Sequence, residues 1–248
     1  MDLKEFFRQH PKAAIAFSGG VDSSYLLYAA LQCGADVRAY YVKTPFQPQF
    51  ELDDAQRLVR DIHAPMTVLR ADVLRDETVT ANPANRCYYC KKVVFSSIAQ
   101  AALADGYTVL LDGTNASGDA GDRPGMRALQ ELQVLSPLRL CGLTKPEIRR
   151  LSKEARLFTW DKPAYACLAT RIPTGEKITA EKLSATESAE GELFAMGFTD
   201  FRVRWYAGAA RLQFPAVQLP RVLERREEIL TKLKKYYPAV LLDLEVRG

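Results

Sequence analysis

The chain has 248 residues, of which 48% are hydrophobic and 26% charged, with a formal net charge of +4. This is enough length for one large or two small globular domains. The mild charge is no signature of nucleic-acid binding, and no apolar run approaches the ~20 residues of a membrane span. Neither a nucleic acid nor a membrane is therefore an expected partner. The start, "MDLKEFFRQH", lacks a signal-peptide core, so the expected location is the cytoplasm.

The first part of the chain alternates strand and helix patterns. "AAIAF" (13–17), "DVRAYYV" (36–42), "MTVLRA" (66–71) and "TVLLD" (108–112) predict strands. Between them, "SSYLLYAALQC" (23–33), "FELDDAQRLVRDI" (50–62) and "YCKKVVFSSIAQAALADG" (89–106) predict helices. Short Val, Ile and Leu runs separated by helices imply a parallel sheet covered on both faces, an α/β fold. "TKPEIRRLSKEARL" (144–157) starts a further helix, with Thr144 and Glu147 at capping-box spacing.

From about residue 160 the pattern changes. A Pro-punctuated stretch leads into a helix (180–196), and "FRVRWYAGAARLQF" (201–214) predicts a hairpin around a Gly-containing turn. A charged helix (about 218–236) and a strand in "AVLLDLEV" close a smaller α+β unit. Acids intersperse the bases from Arg221 to Lys235, which reads as a solvated helix face. The boundary is expected near Phe158, giving domains over 1–158 and 159–248.

"AFSGGVDSS" (16–24) stands where the first strand meets the first of these helices. The leading amides of a helix lack backbone partners, carry partial positive charge and suit an anion. Gly19 and Gly20 allow close backbone approach, Ser18, Ser23 and Ser24 add hydroxyls, and Asp22 can hold Mg²⁺. The spacing fits neither the Walker loop nor the dinucleotide fingerprint. It resembles the PP-loop of the ATP pyrophosphatases, which cleave ATP between the α and β phosphates and hand AMP to a substrate. A plain glycine turn with a capping Asp or Ser is the structural alternative.

Of five cysteines, Cys33 and Cys141 sit in apolar runs and read as small core residues. Cys87 and Cys90 form a C-x-x-C pair just before a predicted helix, and Cys167 falls in the loop "DKPAYACLATRIPTGEKIT". Such a pair is half a zinc site, a redox pair or part of an iron–sulfur set. The only histidines are His10 and His63, so a four-ligand zinc site is hard to assemble. Three thiolates suit a [4Fe–4S] cluster with one open iron; three unligated thiols are the alternative.

The chain resembles the LarE family, the ATP-dependent sulfur transferases that build the nickel-pincer nucleotide of lactate racemase. "AFSGGVDSS", "NPANRCYYCKKVVF", "LLDGTNASGDAGDRPGMRAL", "SPLRLCGLTKPEIRRLSKE", "WDKPAYACLATRIPTGEKIT" and "FRVRWYAGAARLQF" carry the resemblance over nearly the whole chain. It implies a PP-loop domain with a smaller C-terminal domain, and pyridinium-3,5-biscarboxylic acid mononucleotide as substrate. ATP would activate a ring carboxylate, and sulfur would convert it to a thiocarboxylate. In one branch the cysteine matching Cys167 gives up its sulfur. In the other, three cysteines hold a [4Fe–4S] cluster carrying an extra sulfide, and Cys87, Cys90 and Cys167 fit this second pattern.

The resemblance further implies that Thr44, Gly113 and Thr114 border the nucleotide. Arg202, Arg204 and Arg211 would grip the substrate phosphate, with Arg171 and Glu190 assisting. A homo-oligomer and an external sulfide donor are implied as well. The chain departs from the family where Ser117 and Gly118 replace a pair of aspartates, with Asp119 and Asp122 further on. It also departs at Trp205, Tyr206 and Gln213 of the hairpin. A tRNA thiolase of the same superfamily is the rival expectation; it requires a broad basic surface that net charge of +4 does not provide.

Overall fold

The computed structural model describes residues 1–117 and 124–247. In chain order the elements are α1 (Leu3–Gln9), β1 (Lys12–Ala16), α2 (Val21–Gln32), β2 (Asp36–Lys43), α3 (Gln49–Asp61) and β3 (Met66–Arg70). Next come α4 (Glu77–Thr80), α5 (Arg86–Ala104), β4 (Leu110–Leu111), α6 (Pro124–Glu131), α7 (Pro137–Leu140) and α8 (Lys145–Glu154). The chain continues with α9 (Ala180–Ala195), β5 (Arg202–Tyr206), β6 (Ala209–Gln213), α10 (Leu219–Glu224), α11 (Arg226–Leu233) and β7 (Val240–Leu242). Among the described residues no helix is long and apolar enough to cross a membrane.

The chain forms two compact units. The first comprises Met1–Val73 and Asn85–Ala164; the second takes Leu74–Ala84 and everything described from Tyr165 onward. The sequence placed one boundary near Phe158 and did not separate 74–84. Hydrogen bonding explains that assignment. Ile178 N donates to Thr80 O at 2.8 Å and Gly175 N to Asn82 O at 2.8 Å. The buried Asn82 amide returns bonds to the carbonyls of Ile172, Pro173 and Glu176. A polar side chain of that kind is stable inside only when its donors are satisfied.

The first unit is built on a parallel sheet of order β3-β2-β1-β4. Alternation of side chains along each strand sends Ala13, Ile15, Val37, Ala39 and Tyr41 to one face and Ala14, Tyr40 and Val42 to the other. Helices α1, α2, α3, α7 and α8 cover the former face through Phe6, Leu26, Leu58, Leu138 and Ile148. Helices α5 and α6 cover the latter through Phe95, Ile98 and Leu129. This is the two-sided α/β layer expected from the sequence.

The second unit is a three-stranded sheet, β5-β6-β7, with β5 and β6 antiparallel and β7 parallel to β6. It packs Val203, Ala210 and Leu212 against Leu193 of α9 and Ile229 and Leu233 of α11. The charged segment expected as one helix is two, divided at Arg225, whose backbone leaves helical geometry at φ −98° and ψ 18°. Cys33 is exposed at the end of α2 and is not a core residue; Cys141 is half-buried against the first core.

Candidate active site

The turn between β1 and α2 is braced before any ligand arrives. Gly19 takes a left-handed φ of +72°, and a Cβ there would stand 3.1 Å from Ala55 Cβ on α3. Only glycine satisfies both conditions. Ser18 Oγ and Ser23 Oγ lie 3.0 Å apart, and Ser23 Oγ donates to Gly20 O at 3.2 Å. Ser18 N donates to Ser23 Oγ at 3.3 Å, and Gly20 N to Ser18 Oγ at 3.4 Å. The N-cap of α2 is Gly20, with no side-chain cap, so the helix presents its leading amides uncapped. That is the condition for an anion to bind there.

Two side chains of this loop hold unused capacity. Ser24 is fully buried and its Oγ has no partner among the described residues. Asp22 pairs through Oδ2 with Lys145 Nζ at 2.7 Å, while its buried Oδ1 has no partner among the described residues.

The end of β4 presses on the loop. A Cβ on Gly113 would come within 2.9 Å of Ser23 N and 3.0 Å of Ser23 Cα, backbone that cannot swing aside. Beside it the buried Asp112 carboxylate accepts Thr114 Oγ1 at 2.5 Å and Ser136 Oγ at 2.6 Å. The Thr114 hydroxyl is therefore turned to Asp112. Thr44 is 2% exposed, donates through N and Oγ1 to Gln47 Oε1 (3.0 and 2.7 Å), and accepts from Phe46 N at 3.1 Å. Its side chain shapes the turn after β2. Gly118, Asp119 and Asp122 lie outside the described residues.

Helix α5 begins at Arg86, three residues before its expected start, so Cys87 and Cys90 are its second and fifth residues. The spacing i, i+3 puts both on one face. Cys87 is exposed and Cys90 half-buried. The next residue, Lys91, has its ammonium pKa lowered by burial, against the opposing pull of Asp112, Cys87 and Cys90. Cys167 belongs to the second unit, half-buried as N-cap of the turn Leu168–Arg171. Its carbonyl accepts Thr170 Oγ1 at 2.8 Å. No group of three or more His, Cys, Asp or Glu side chains is gathered for a metal ion among the described residues.

The second unit concentrates arginines. Arg171 and Glu190 are 1% and 2% exposed and form a two-point pair, Nε to Oε1 at 2.8 Å and Nη2 to Oε2 at 3.1 Å. Arg171 Nη1 also donates to Ala166 O and Thr170 Oγ1, both at 2.9 Å. Burial works to lower the Arg171 pKa, but the Glu190 bonds and charge raise it overall. Glu190 further accepts Val203 N at 3.0 Å and the Tyr165 hydroxyl. The pair, expected to assist at the substrate phosphate with Glu190 orienting substrate or arginine, ties the Cys167 turn to strand β5.

Arg202 and Arg204 share a face of β5, and Arg204 stands directly opposite Arg211 on β6. Burial, then the charges of Arg171 and Arg247, push the Arg202 pKa down to about 10. Arg204 is lowered by burial and by Arg171, Arg211 and Arg247. Arg204 is aimed by Thr170 O at 2.9 Å and by the Gln213 side-chain carbonyl, which Asp243 steadies in turn. Arg211 pairs with Asp243 at 3.4 Å and lies over the exposed Tyr206 ring. Trp205 packs on Tyr237 and under Lys182. Cations crowded at this density favour an oxyanion.

Sequence reasoning missed Lys145 and Arg247. Arg247 closes on Asp200 at 2.8 Å, and no local pattern announces it. Lys145 left a signal, because a cation in the first turn of a helix opposes the dipole and calls for an acid nearby.

No protein-family model matches the chain. An uncharacterized protein of Synechocystis sp. is 36% identical over 98% of this chain and 92% of that protein. The pyridinium-3,5-bisthiocarboxylic acid mononucleotide synthase of Lactiplantibacillus plantarum is 29% identical over 94% of this chain and 86% of its own length. A tRNA-specific 2-thiouridylase MnmA of Thermotoga sp. is 25% identical over 58% of this chain and 52% of its own.

Proposed function

Because the chain belongs to the LarE family, we propose that it is an ATP-dependent sulfur transferase acting on pyridinium-3,5-biscarboxylic acid mononucleotide. A ring carboxylate attacks the α-phosphorus of ATP, pyrophosphate leaves, and an acyl-adenylate forms. Sulfur then displaces AMP and leaves a thiocarboxylate. Activation is needed because oxide is a poor leaving group and AMP is a good one. The observation that carries this reading is the turn Ser18–Ser23, whose uncapped helix amides and braced serines form a phosphate cradle against Gly113.

In this reading the first unit holds the nucleotide through Ser18, Gly19, Gly20, Ser23 and Ser24, with the backbone of Thr44, Gly113 and Thr114 at its border. The unpartnered Asp22 Oδ1 suits a hard cation that takes oxygen ligands, so Asp22 would hold Mg²⁺. Bound there, Mg²⁺ neutralises the polyphosphate. In the second unit, Arg202, Arg204 and Arg211 bind the substrate phosphate, while Arg171 and Glu190 position the Cys167 turn. Three cysteine thiolates are the donor set for a [4Fe–4S] cluster with an open iron, so Cys87, Cys90 and Cys167 would hold it. Such a cluster supplies the transferred sulfide. The proposed setting is cytoplasmic, with a homo-oligomer as working assembly and an external sulfide donor.

Anaerobic protein with Mg²⁺ and ATP is expected to release AMP and pyrophosphate only when the pyridinium mononucleotide is added. AMP formation that requires tRNA instead, with none from the pyridinium nucleotide, would replace this reading with a tRNA thiolase.

A further inference from the structure

The loop Ser18–Ser24 has no lysine of its own, although a site for ATP must balance several negative charges. One ammonium does reach it. Lys145, the first residue of α8 and 123 positions after Asp22, places Nζ 2.7 Å from Asp22 Oδ2. Both residues belong to the first unit. Lys145 is also fixed at its backbone, where N donates to Ser117 Oγ at 2.7 Å. Its helix start carries Pro in the first turn and a Thr144 cap whose hydroxyl makes no capping bond. The root of the side chain is therefore anchored, while its four-carbon stem remains able to swing.

The charge arithmetic at Asp22 is specific. An isolated carboxylate at the start of α2 would repel a polyphosphate, and the ammonium cancels it in the empty loop. The side chains are 32% and 22% exposed, so water screens the pair and it is easily exchanged. A divalent cation brings twice the charge of an ammonium to the same carboxylate. It also finds the second, unpartnered oxygen of Asp22. When it binds, Lys145 loses its partner within reach of the phosphates.

We propose that Lys145 is the cation of this phosphate loop. It holds Asp22 in the empty site and passes to the terminal phosphates of the nucleotide when Mg²⁺ takes Asp22. The inference rests on the reading that the loop binds ATP. It adds a residue that acts on the β and γ phosphates and not on the α-phosphate. No bond is made or broken in the exchange; one ion pair replaces another.

Calorimetric titration of the full-length chain in Mg²⁺ buffer tests this with three probes: ATP, inorganic pyrophosphate and AMP. Lys145→Ala is expected to weaken ATP and pyrophosphate at least tenfold and to leave AMP within about twofold. Lys145→Arg, which keeps the charge on a stem of similar reach, is expected to recover most of the loss. Equal binding of all probes by wild type and Lys145→Ala overturns the proposal, as does a parallel loss for AMP, which marks a merely structural role. If wild type itself binds neither ATP nor AMP, the ATP reading fails, and this inference with it.

Discussion

Gly113 shows how one missing methyl group shapes the turn proposed to hold the nucleotide. Its absent Cβ leaves room for the Ser23 backbone, which would otherwise be met at 2.9 Å. Gly113→Ala must push β4 and the loop apart, at a cost of about 1–3 kcal/mol. The expected result is a folded protein with ATP affinity reduced tenfold or more, read by calorimetry; unchanged affinity would remove Gly113 from the site. Arg202 makes a second prediction at this scale. Burial holds its pKa down at about 10, well below the ordinary guanidinium range. An anion needs the charged form, so KM for the phosphorylated substrate should rise as pH climbs from about 8 through 10. A KM flat to that pH would mean the phosphate is held elsewhere. Such partners are hidden from a sequence reading. The motif "SGGVDSS" was legible because its members are adjacent, whereas the ion pair of Asp22 spans 123 positions.

Among the elements, β1 and β2 match their apolar runs closely because the residues that fill them, Ala13 to Ile15 and Ala39 to Val42, are buried; β3, at the sheet edge, matches its run although it is only partly covered. The misreadings have local causes. Strand β4 keeps only Leu110–Leu111, since Asp112 N bonds Leu135 O outside the sheet. Helix α5 starts three residues before its expected position, and its N-cap, Asn85, makes no side-chain cap bond. Thr144 and Glu147 have capping-box spacing, yet Glu147 is drawn away to Arg150 at 2.6 Å. The hairpin was legible in its alternation; the link from α9 through Glu190 to Arg171 and Val203 was not. That link carries a prediction. Glu190→Ala leaves the Arg171 guanidinium buried and unpaired, at a cost of about 3–5 kcal/mol. Urea unfolding of the second unit should show it, and Glu190→Gln, which keeps one acceptor, should lose less. A loss under 1 kcal/mol for Glu190→Ala would mean that the pair contributes little.

At the scale of the whole molecule, the chain divides its proposed tasks between units. The first carries the phosphate loop with Cys87 and Cys90, and the second carries the arginine face with Cys167. The α/β layer was legible from alternating patterns, but the transfer of 74–84 to the second unit was not. It depends on Asn82 satisfying three carbonyls some ninety residues away, which no local pattern encodes. The sulfur question also belongs to this scale, because a cluster would draw on Cys87, Cys90 and Cys167 while a sacrificial route needs Cys167 alone. Single-turnover mass spectrometry, run anaerobically with ATP, Mg²⁺ and the pyridinium mononucleotide, measures product and protein together. The account predicts a product with one carboxylate oxygen replaced by sulfur, one AMP per product, and a Cys167 side chain of unchanged mass. A protein that has lost hydrogen sulfide at Cys167 would contradict the cluster as donor, and the absence of any thiocarboxylate would contradict the proposed function itself.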